Sequence, residues 1–292
     1  MPSQKEIRAR ISSTVGTQQI TKAMKLVSAT KLRKASEAIV KMRPYALKLQ
    51  GIMSNLQDSA DDERLAVYFQ KREVKSVLMV VVTSDRGLCG AFNANVVKRA
   101  KYLLENNYKD LVKKDKVRIL CVGKKGAEGL KRLGFNCDTT YVSSLIDLSA
   151  NSAFDFSQYV IDQYTSGSCD TVEIVYNQFK NAATQILTNE VLLPISKVNS
   201  SKDALNSDYI FEPGKVEILQ DLIPRSLKTH IYRAFLDSLA SEHGARMISM
   251  DKATDNAGEL LRSLKLAYNQ ARQAAITREI SEIVGGVAAL EG

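Results

Sequence analysis

Apolar and small residues recur at regular spacing along the last third of the chain. Between residues 250 and 274 they alternate at steps of three and four, the heptad pattern of a helix that packs against another helix. The positions are Met250, Ala253, Ala257, Leu260, Leu264, Ala267, Ala271 and Ala274. Five of the eight are alanine, which has the highest helix propensity and lets two helix axes approach closely. The pattern predicts a thin coiled-coil helix over residues 212–290, which at about 1.5 Å per residue must project from its own domain.

The apolar face of this predicted helix changes after Ala274. The next apolar residues are rotated from the first set by a two-residue step, and they are Ile276, Ile280, Ile283, Val287 and Leu290. A helix that changes its apolar face near its end is expected to change its packing partner there. We therefore expect the C-terminal end to leave the coiled coil.

Residues 1–58 predict a second helix of the same kind. Ser3 and Glu6 have the spacing of a capping box, which places the start of the helix almost at the terminus. A clean seam follows at Leu32, Ala35, Ile39, Met42, Ala46, Leu49, Met53 and Leu56. The earlier apolar positions are less regular, at Ile7, Ile11, Val15, Ile20, Met24 and Val27. Pro44 predicts a kink, and two long helices at opposite ends of one chain are expected to pair antiparallel.

Residues 74–206 have the pattern of an α/β domain. Four apolar, β-branched runs predict strands at residues 77–83, 117–122, 172–176 and 186–195, and helical stretches fall between them at 93–105, 127–133 and 154–164. Strands that alternate with helices are typical of an open, mostly parallel sheet with helices on its faces. The predicted fold class is therefore α/β, with a long antiparallel coiled coil and a central Rossmann-like domain.

The net charge of +9 lies in one element. Residues 1–50 hold eleven Lys or Arg against two Glu, whereas basic and acidic residues balance in the remainder. Clustered basic residues are typical of proteins that bind phosphate groups, but aromatic residues do not alternate with them here. From the charge alone, this helix could bind a nucleic acid, bind an acidic protein surface, or expose its basic face to solvent without a partner.

Motifs of catalysis and cofactor binding are missing from the sequence. The turns after the first two strands, at residues 84–90 and 123–126, match neither nucleotide-binding glycine pattern, so we interpret them as tight strand-to-helix turns. In the first turn, Arg86 beside Asp85 could contact a partner or form a local pair that stabilises the turn. The four cysteines are scattered and predict free thiols without a metal site. His243 is expected to lie on a polar helix surface. The missing motifs predict a protein without catalytic activity or a cofactor. No apolar run is long enough to span a bilayer and no leader precedes the first helix, which predicts a cytoplasmic protein.

Several segments resemble the gamma subunit of rotary ATP synthases, and together they extend over the whole chain. They are residues 10–33 with TQQITKAMKLVSATKLR at 17–33, SDRGLCGAFN at 84–93, SEHGARM at 241–247, ATDNAGEL at 253–260 and NQARQAAITREI at 269–280. Gly244 stands where the family commonly has alanine. A cysteine-bearing regulatory insertion of the chloroplast type is not evident.

The resemblance implies a rotor shaft, present in one copy inside a ring of alpha and beta subunits. Its base would lie on the membrane ring of c subunits beside the epsilon subunit. Proton flow would turn the ring and shaft, and the shaft would move each beta subunit through its conformational states. This implies peripheral attachment, through the c ring, to the cytoplasmic face of a bacterial plasma membrane, without nucleic acid as a partner.

The resemblance also implies which residues contact partners. Those expected at the beta subunits and the alpha and beta collar are Met24, Lys25, Arg246, Arg272, Gln273, Thr277 and Glu279. Those expected at epsilon and the c ring are Tyr209, Phe211 and Glu212. Replacement of Arg246 by Ala is expected to lower coupled ATP synthesis more than it lowers stability.

Overall fold

The computed structural model describes residues 3–56, 63–69, 72–143, 145, 148–195 and 214–291. The chain divides into two compact units. Unit 1 consists of Met1–Ser28 and Met247–Gly292, and unit 2 is Ala29–Arg246. The two long terminal helices, α1 (Gln4–Leu56) and α7 (Lys215–Glu291), each contribute to both units.

Unit 2 contains a five-stranded sheet with the strand order β3-β2-β1-β4-β5. The strands are β1 (Val77–Val82), β2 (Val117–Val122), β3 (Cys137–Asp138), β4 (Thr171–Phe179) and β5 (Gln185–Leu193). The first four run parallel and β5 is antiparallel to β4, so the prediction of an open, mostly parallel sheet is confirmed. The short edge strand β3 was not predicted, because two residues carry no periodic signal.

Shorter helices connect the strands of unit 2. They are α2 (Glu63–Phe69), α3 (Phe92–Tyr102), α4 (Lys109–Lys113), α5 (Lys124–Arg132) and α6 (Ala150–Thr165), with a π-helical turn at Leu103–Asn107 after α3. Ser149 caps α6 by accepting a hydrogen bond from the backbone N–H of Ser152. The sequence placed α3, α5 and α6 correctly to within a few residues, whereas the short helices α2 and α4 were not predicted.

Strand β1, most of β4 and the second half of β2 are buried on both faces of the sheet, which explains their continuous apolar sequences. On one face, Met79, Val81 and Ile119 pack against α3 and against Leu130 of α5. On the other face, Leu78, Val80 and Val82 pack against α6 and against Leu219–Phe235 of α7. The first part of α7 is therefore a layer of the domain, because its apolar stripe lies on the sheet.

The predicted seam of α1 is confirmed in unit 2 from Leu32 to Leu49, where every seam position is buried or half-buried. Ala35 and Ile39 pack against Leu236 and Ala240 of α7. Helix α1 continues through Pro44 without interruption.

The seam of unit 1 uses polar residues that the sequence analysis passed over. Along α1, the positions that face α7 are Ile7, Ile11, Thr14, Gln18, Thr21, Lys25 and Ser28; along α7, they are Met250, Thr254, Ala257, Leu261, Leu264, Tyr268 and Ala271. Leu261 is 9% exposed whereas Leu260 is 50% exposed, so the prediction that Leu260 lies in the seam is wrong. Ile20 and Val27 are also exposed, at 61% and 58%.

The start of α1 is stabilised by hydrogen bonds between the side chains and the backbone of its first residues. The backbone N–H of Ser3 donates to the Glu6 carboxylate and the backbone N–H of Glu6 donates to the Ser3 hydroxyl, so the predicted capping box is present.

In the part of the chain that the structure describes, no helix is long and apolar enough to cross a membrane.

Candidate partner-binding surfaces

The carboxyl ends of β1 and β4 are covered by α7. In doubly wound sheets, a small ligand usually binds at the point where neighbouring strands lead to connections in opposite directions, as β1 and β4 do here. The Ser241 hydroxyl donates to the carbonyl of Asn177, at the end of β4, over 3.1 Å. A Cβ at Gly244 would lie 3.1 Å from both the Cα and the carbonyl oxygen of Ala182. The helix therefore fills the crevice, and the absence of a side chain at position 244 permits the approach.

Arg246 joins this part of α7 to the turn after β1. Its Nη2 donates to the carbonyl oxygen of Arg86 over 3.0 Å and to that of Gly87 over 3.2 Å. Its Nη1 donates to the Glu242 carboxylate over 2.6 Å, one helical turn earlier. Arg246 is only 7% exposed, so the guanidinium is a buried group whose donors are used inside unit 2. Its predicted contact with a beta subunit stays a prediction.

The ionisable neighbours of Arg246 are buried with it. Burial raises the pKa of Glu242, and the Arg246 charge opposes this rise. Burial lowers the pKa of His243 to about 4, and the positive charges of Arg246 and Lys31 lower it further. His243 is 7% exposed, so the prediction of a surface histidine is wrong. The helix is enclosed on all sides here, which its polar sequence did not reveal.

The turn between β1 and α3 is held rigidly by side-chain hydrogen bonds. Asn93 accepts from the backbone N–H of Ser84, and the Ser84 hydroxyl donates to the carbonyl of Arg86. Asp85 accepts from the backbone N–H of Lys124 at the start of α5, rather than forming the local pair with Arg86 that was one of the two alternatives from sequence. Leu88 has a φ of 63° and is 61% exposed. A bulky residue in this conformation is strained, so the turn is fixed at some cost.

Two predicted contact residues lie side by side on α1 in unit 1. Met24 is half-buried. Lys25 forms an ion pair with Asp251 of α7, with 2.5 Å between Nζ and Oδ1, and 39% of the Lys25 side chain stays exposed. One turn earlier, the hydroxyls of Thr21 and Thr254 are 2.8 Å apart. Lys25 therefore uses its charge in the ion pair within the coiled coil, and only the exposed part of its side chain is available to a partner.

The C-terminal end of α7 extends beyond the start of α1 in unit 1. The pairs Lys25–Asp251 and Thr21–Thr254 define the antiparallel register, and continuing it places Gln4 opposite residues 271 and 272. The predicted contact residues Arg272, Gln273, Thr277 and Glu279 all lie at or beyond this point and are exposed. The structure brings these four together on one helix end, and Thr277 is bonded to the carbonyl of Gln273 over 2.9 Å.

Large apolar side chains are exposed on the same helix end. They are Ile276 at 48%, Ile280 at 56%, Ile283 at 67%, Val284 at 62% and Val287 at 50%. A run of exposed apolar side chains marks an interaction surface. We call residues 272–287 the tip. The sequence had signalled it through the change of register after Ala274.

The sequence analysis did not recognise that the basic helix α1 also carries exposed apolar side chains. Ile20, Leu26 and Val27 are all more than half exposed in unit 1. They lie one or two positions away from the seam residues in sequence, and this offset is the signal that could have revealed them.

The predicted contacts Tyr209, Phe211 and Glu212 lie outside the described residues. Within the described part of the chain, no group of three or more His, Cys, Asp or Glu is placed to hold a metal ion.

Comparison with known proteins places this arrangement in a family. The family model for ATP synthase matches residues 3–290. The ATP synthase gamma chain of Cytophaga hutchinsonii is 54% identical over 99% of both chains, and that of Flavobacterium psychrophilum is 50% identical over the full length of both. The chain belongs to the ATP synthase gamma-chain family. It is thus a subunit of the ATP synthase complex.

Solved structures of ATP synthases contain chains with the same fold. A chain of the Tetrahymena thermophila mitochondrial ATP synthase central stalk and c ring is 26% identical, with a TM-score of 0.58 over 80% of this chain and 99% of that one. A chain of the Euglena gracilis mitochondrial ATP synthase is 22% identical, with a TM-score of 0.65 over 98% of this chain and 94% of that one. The long helices and the sheet are those of a gamma subunit in the central stalk.

Proposed function

We propose that this chain is the central rotor shaft of an F-type ATP synthase. It couples proton-driven rotation of the membrane c ring to conformational cycling of the catalytic beta subunits, for ATP synthesis or hydrolysis. The chain performs no chemistry itself, and one copy serves each complex. In this proposal it contacts alpha, beta, epsilon and the c ring, and it lies at the cytoplasmic face of a bacterial plasma membrane.

The tip is the observation that carries this proposal. A solitary helix end with Ile276, Ile280 and Ile283 exposed to water is costly, at about 25 cal/mol for each Å² of apolar surface left exposed. Enclosure of the tip by a surrounding apolar collar would remove this cost. Enclosure of that kind supports a shaft seated in a ring of partner subunits.

The asymmetry of the coiled coil in unit 1 supports the coupling step. A shaft can drive a conformational cycle only if it interacts with the successive states of its partners with different free energies. Lys25, beside the exposed Ile20, Leu26 and Val27, gives α1 a basic and apolar surface. The exposed residues of α7 in the same unit are instead of mixed charge, with acids such as Asp255 and Glu259 beside the basic Lys252 and Arg262. A beta subunit would therefore meet a different surface at each angle of rotation.

The remaining contacts follow the family resemblance. Met24 and Lys25 would meet the lower part of the beta subunits, and Arg272, Gln273, Thr277 and Glu279 the collar. Arg246 would act close to a beta subunit by holding the turn that displays Arg86 and Leu88. Tyr209, Phe211 and Glu212 would contact epsilon and the c ring.

Reconstitution with purified alpha and beta subunits tests the proposal. We expect a complex with one copy of this chain, whose rate of ATP hydrolysis is well above that of alpha and beta alone. Failure to assemble or to stimulate hydrolysis would overturn the proposal. DNA binding with a steep salt dependence would instead favour a basic coiled-coil scaffold.

A further inference from the structure

A cavity of about 300 Å³ lies within unit 2, between α1, α7 and the end of β4. This volume is at the lower end of the range of about 300–1,000 Å³ for small-molecule sites, which combine apolar walls with a few polar groups. The wall residues that matter here are Ile39, Met42, Arg43, Phe179, Arg233 and Asp237. None of them belongs to the surfaces assigned to the rotor function.

Asp237 is a buried carboxylate on the wall of this cavity. Its side chain is 7% exposed, and the closest basic atom is Nε of Arg233, 3.9 Å away. That separation is too long for a hydrogen bond. Among the described residues, none donates a hydrogen bond to the Asp237 carboxylate. A buried carboxylate without donors is costly, so this wall favours a ligand that completes its bonding.

The charges around Asp237 come from four elements. Arg43 lies on α1, Arg233 and His230 on α7, Glu190 on β5 and Tyr176 on β4. Glu190 is already bonded to His230 over 2.7 Å and to the Tyr176 hydroxyl over 3.1 Å. Asp237 is therefore the one acid left in this group to balance two arginines, and the wall of the cavity carries a net positive charge.

Asp237 can lose its charge at a small cost near neutral pH. Burial raises the pKa of its carboxyl to about 6, although Arg233 and Arg43 oppose the rise. Once protonated, the group donates one hydrogen bond and leaves both arginines without a counter-ion. The cavity then presents three donors beside an apolar wall.

We propose that this cavity binds an amphipathic organic carboxylate. Its head group accepts hydrogen bonds from Arg43, Arg233 and protonated Asp237, and its hydrocarbon part packs against the apolar side chains of Ile39, Met42 and Phe179. Binding takes up one proton when it begins from ionised Asp237. A cationic ligand is disfavoured, because two arginines flank the site and α1 carries the excess positive charge of the chain. The inference is independent of the rotor function.

Calorimetric titration of the full-length chain with octanoate tests this site. We expect saturable binding at one site, roughly tenfold tighter at pH 5.5 than at pH 7.5, because protonation of Asp237 precedes binding. Asp237→Asn supplies a permanent amide donor and should bind octanoate at pH 7.5 about as tightly as the unaltered chain does at pH 5.5. Its affinity should change little with pH.

Arginine variants separate specific from nonspecific binding. Arg233→Gln should weaken octanoate binding by about tenfold, as expected for a lost charge-assisted hydrogen bond. If this variant does not fold, Arg43→Gln is the equivalent test, because Arg43 is exposed. The matched control is Arg33→Gln, since Arg33 lies on the same helix as Arg43, is 75% exposed and lines no part of the cavity. The control should bind like the unaltered chain.

Three results would overturn the inference. The first is the absence of saturable octanoate binding at either pH. The second is equal affinity in the Arg233, Arg43 and Arg33 variants, which would mean nonspecific association with apolar surface. The third is tighter binding of octylammonium than of octanoate, abolished by Asp237→Asn, which would make Asp237 the anchor of a cation site.

Discussion

Asp237 and His243 are buried ionisable residues of unit 2 whose effects on stability oppose each other. The folded pKa of Asp237, about 6, lies above its ordinary value of 3.8, so the folded state binds more protons in this window and loses stability as pH rises through it. The folded pKa of His243, about 4, lies below its ordinary value of 6.5, so the unfolded state binds more protons and stability falls as pH is lowered through that window. Between about pH 4 and 6 the two contributions largely cancel.

Asp237→Asn should expose this compensation. At pH 7 the variant should be more stable than the unaltered chain by about 2 kcal/mol, because no charge remains to be desolvated. The difference should vanish below about pH 3, where Asp237 is protonated in both the folded and the unfolded state. Urea unfolding at pH 7 and at about pH 3 measures the two differences, and an equal gain at both pH values would contradict the role given to the charge.

Arg246→Ala should cost about 3–5 kcal/mol of unfolding free energy, because it leaves Glu242 buried without its counter-ion. This changes the prediction from sequence, which expected the loss of ATP synthesis to exceed the loss of stability. Guanidinium chloride unfolding measures the cost, and Arg262→Ala, at an exposed arginine of the same helix, is the control. The double variant Glu242→Gln, Arg246→Met should recover part of the loss. An Arg246→Ala chain as stable as the control would mean that the buried pair contributes nothing.

At the scale of elements, the sequence predicted helices and strands well and their faces less well. The seam of α1 was evident from Leu32, where it is apolar, but not before, where Gln18, Thr21 and Ser28 occupy seam positions. Polar groups can lie in a seam when a partner across it completes their hydrogen bonds, as Thr254 does for Thr21. A periodicity of apolar residues cannot detect such positions. The choice between Leu260 and Leu261 failed for the same reason, since Thr254 rather than Ala253 sets the register.

Two glycines of α7 should respond in opposite directions to the same substitution. A Cβ at Gly258 would lie 3.2 Å from Nε2 of Gln18, the movable end of a flexible side chain. Gly258→Ala should therefore stabilise the chain by about 0.5–1 kcal/mol through helix propensity. At Gly244 the Cβ would meet the backbone of Ala182 at 3.1 Å, so Gly244→Ala should instead destabilise by about 1 kcal/mol. Thermal unfolding compares the two variants, and a shift of the same sign in both would contradict the packing described at Ala182.

At the scale of the whole molecule, the α/β class could be predicted because buried parallel strands are continuously apolar. The surfaces for partners could not be predicted from periodicity, with the exception of the tip. Met24 and Lys25 came from the family resemblance, since nothing in their spacing distinguishes them from solvated residues. The crevice between β1 and β4 was also unpredictable, because it is covered by residues about 60 positions away in sequence.

Polar substitution of the tip should separate assembly from folding. Ile276→Ser with Ile283→Ser removes apolar surface that is exposed in the chain, so the unfolding free energy should change by no more than about 0.5 kcal/mol. Assembly with alpha and beta subunits, followed by gel filtration and ATP hydrolysis, should be weakened. Leu266→Ser is the control, because Leu266 is 65% exposed on the same helix before the tip begins. Normal assembly of the tip variant would show that the tip is not held by apolar contact.

The polar pairs in the seam of unit 1 also determine how the two helices respond to load along their axes. Sliding α7 by one heptad would place Lys25 opposite Gly258 and the Thr21 hydroxyl against Leu261, so both pairs would be lost together. The buried Thr21 hydroxyl, left without a partner, would cost about 1–3 kcal/mol, and the partly exposed Lys25–Asp251 pair would add less, whereas a uniformly apolar seam would lose little in the same step. The two pairs therefore oppose a slip of one helix along the other. The axial register of the coiled coil is thus fixed by two hydrogen-bonded pairs in addition to its apolar packing.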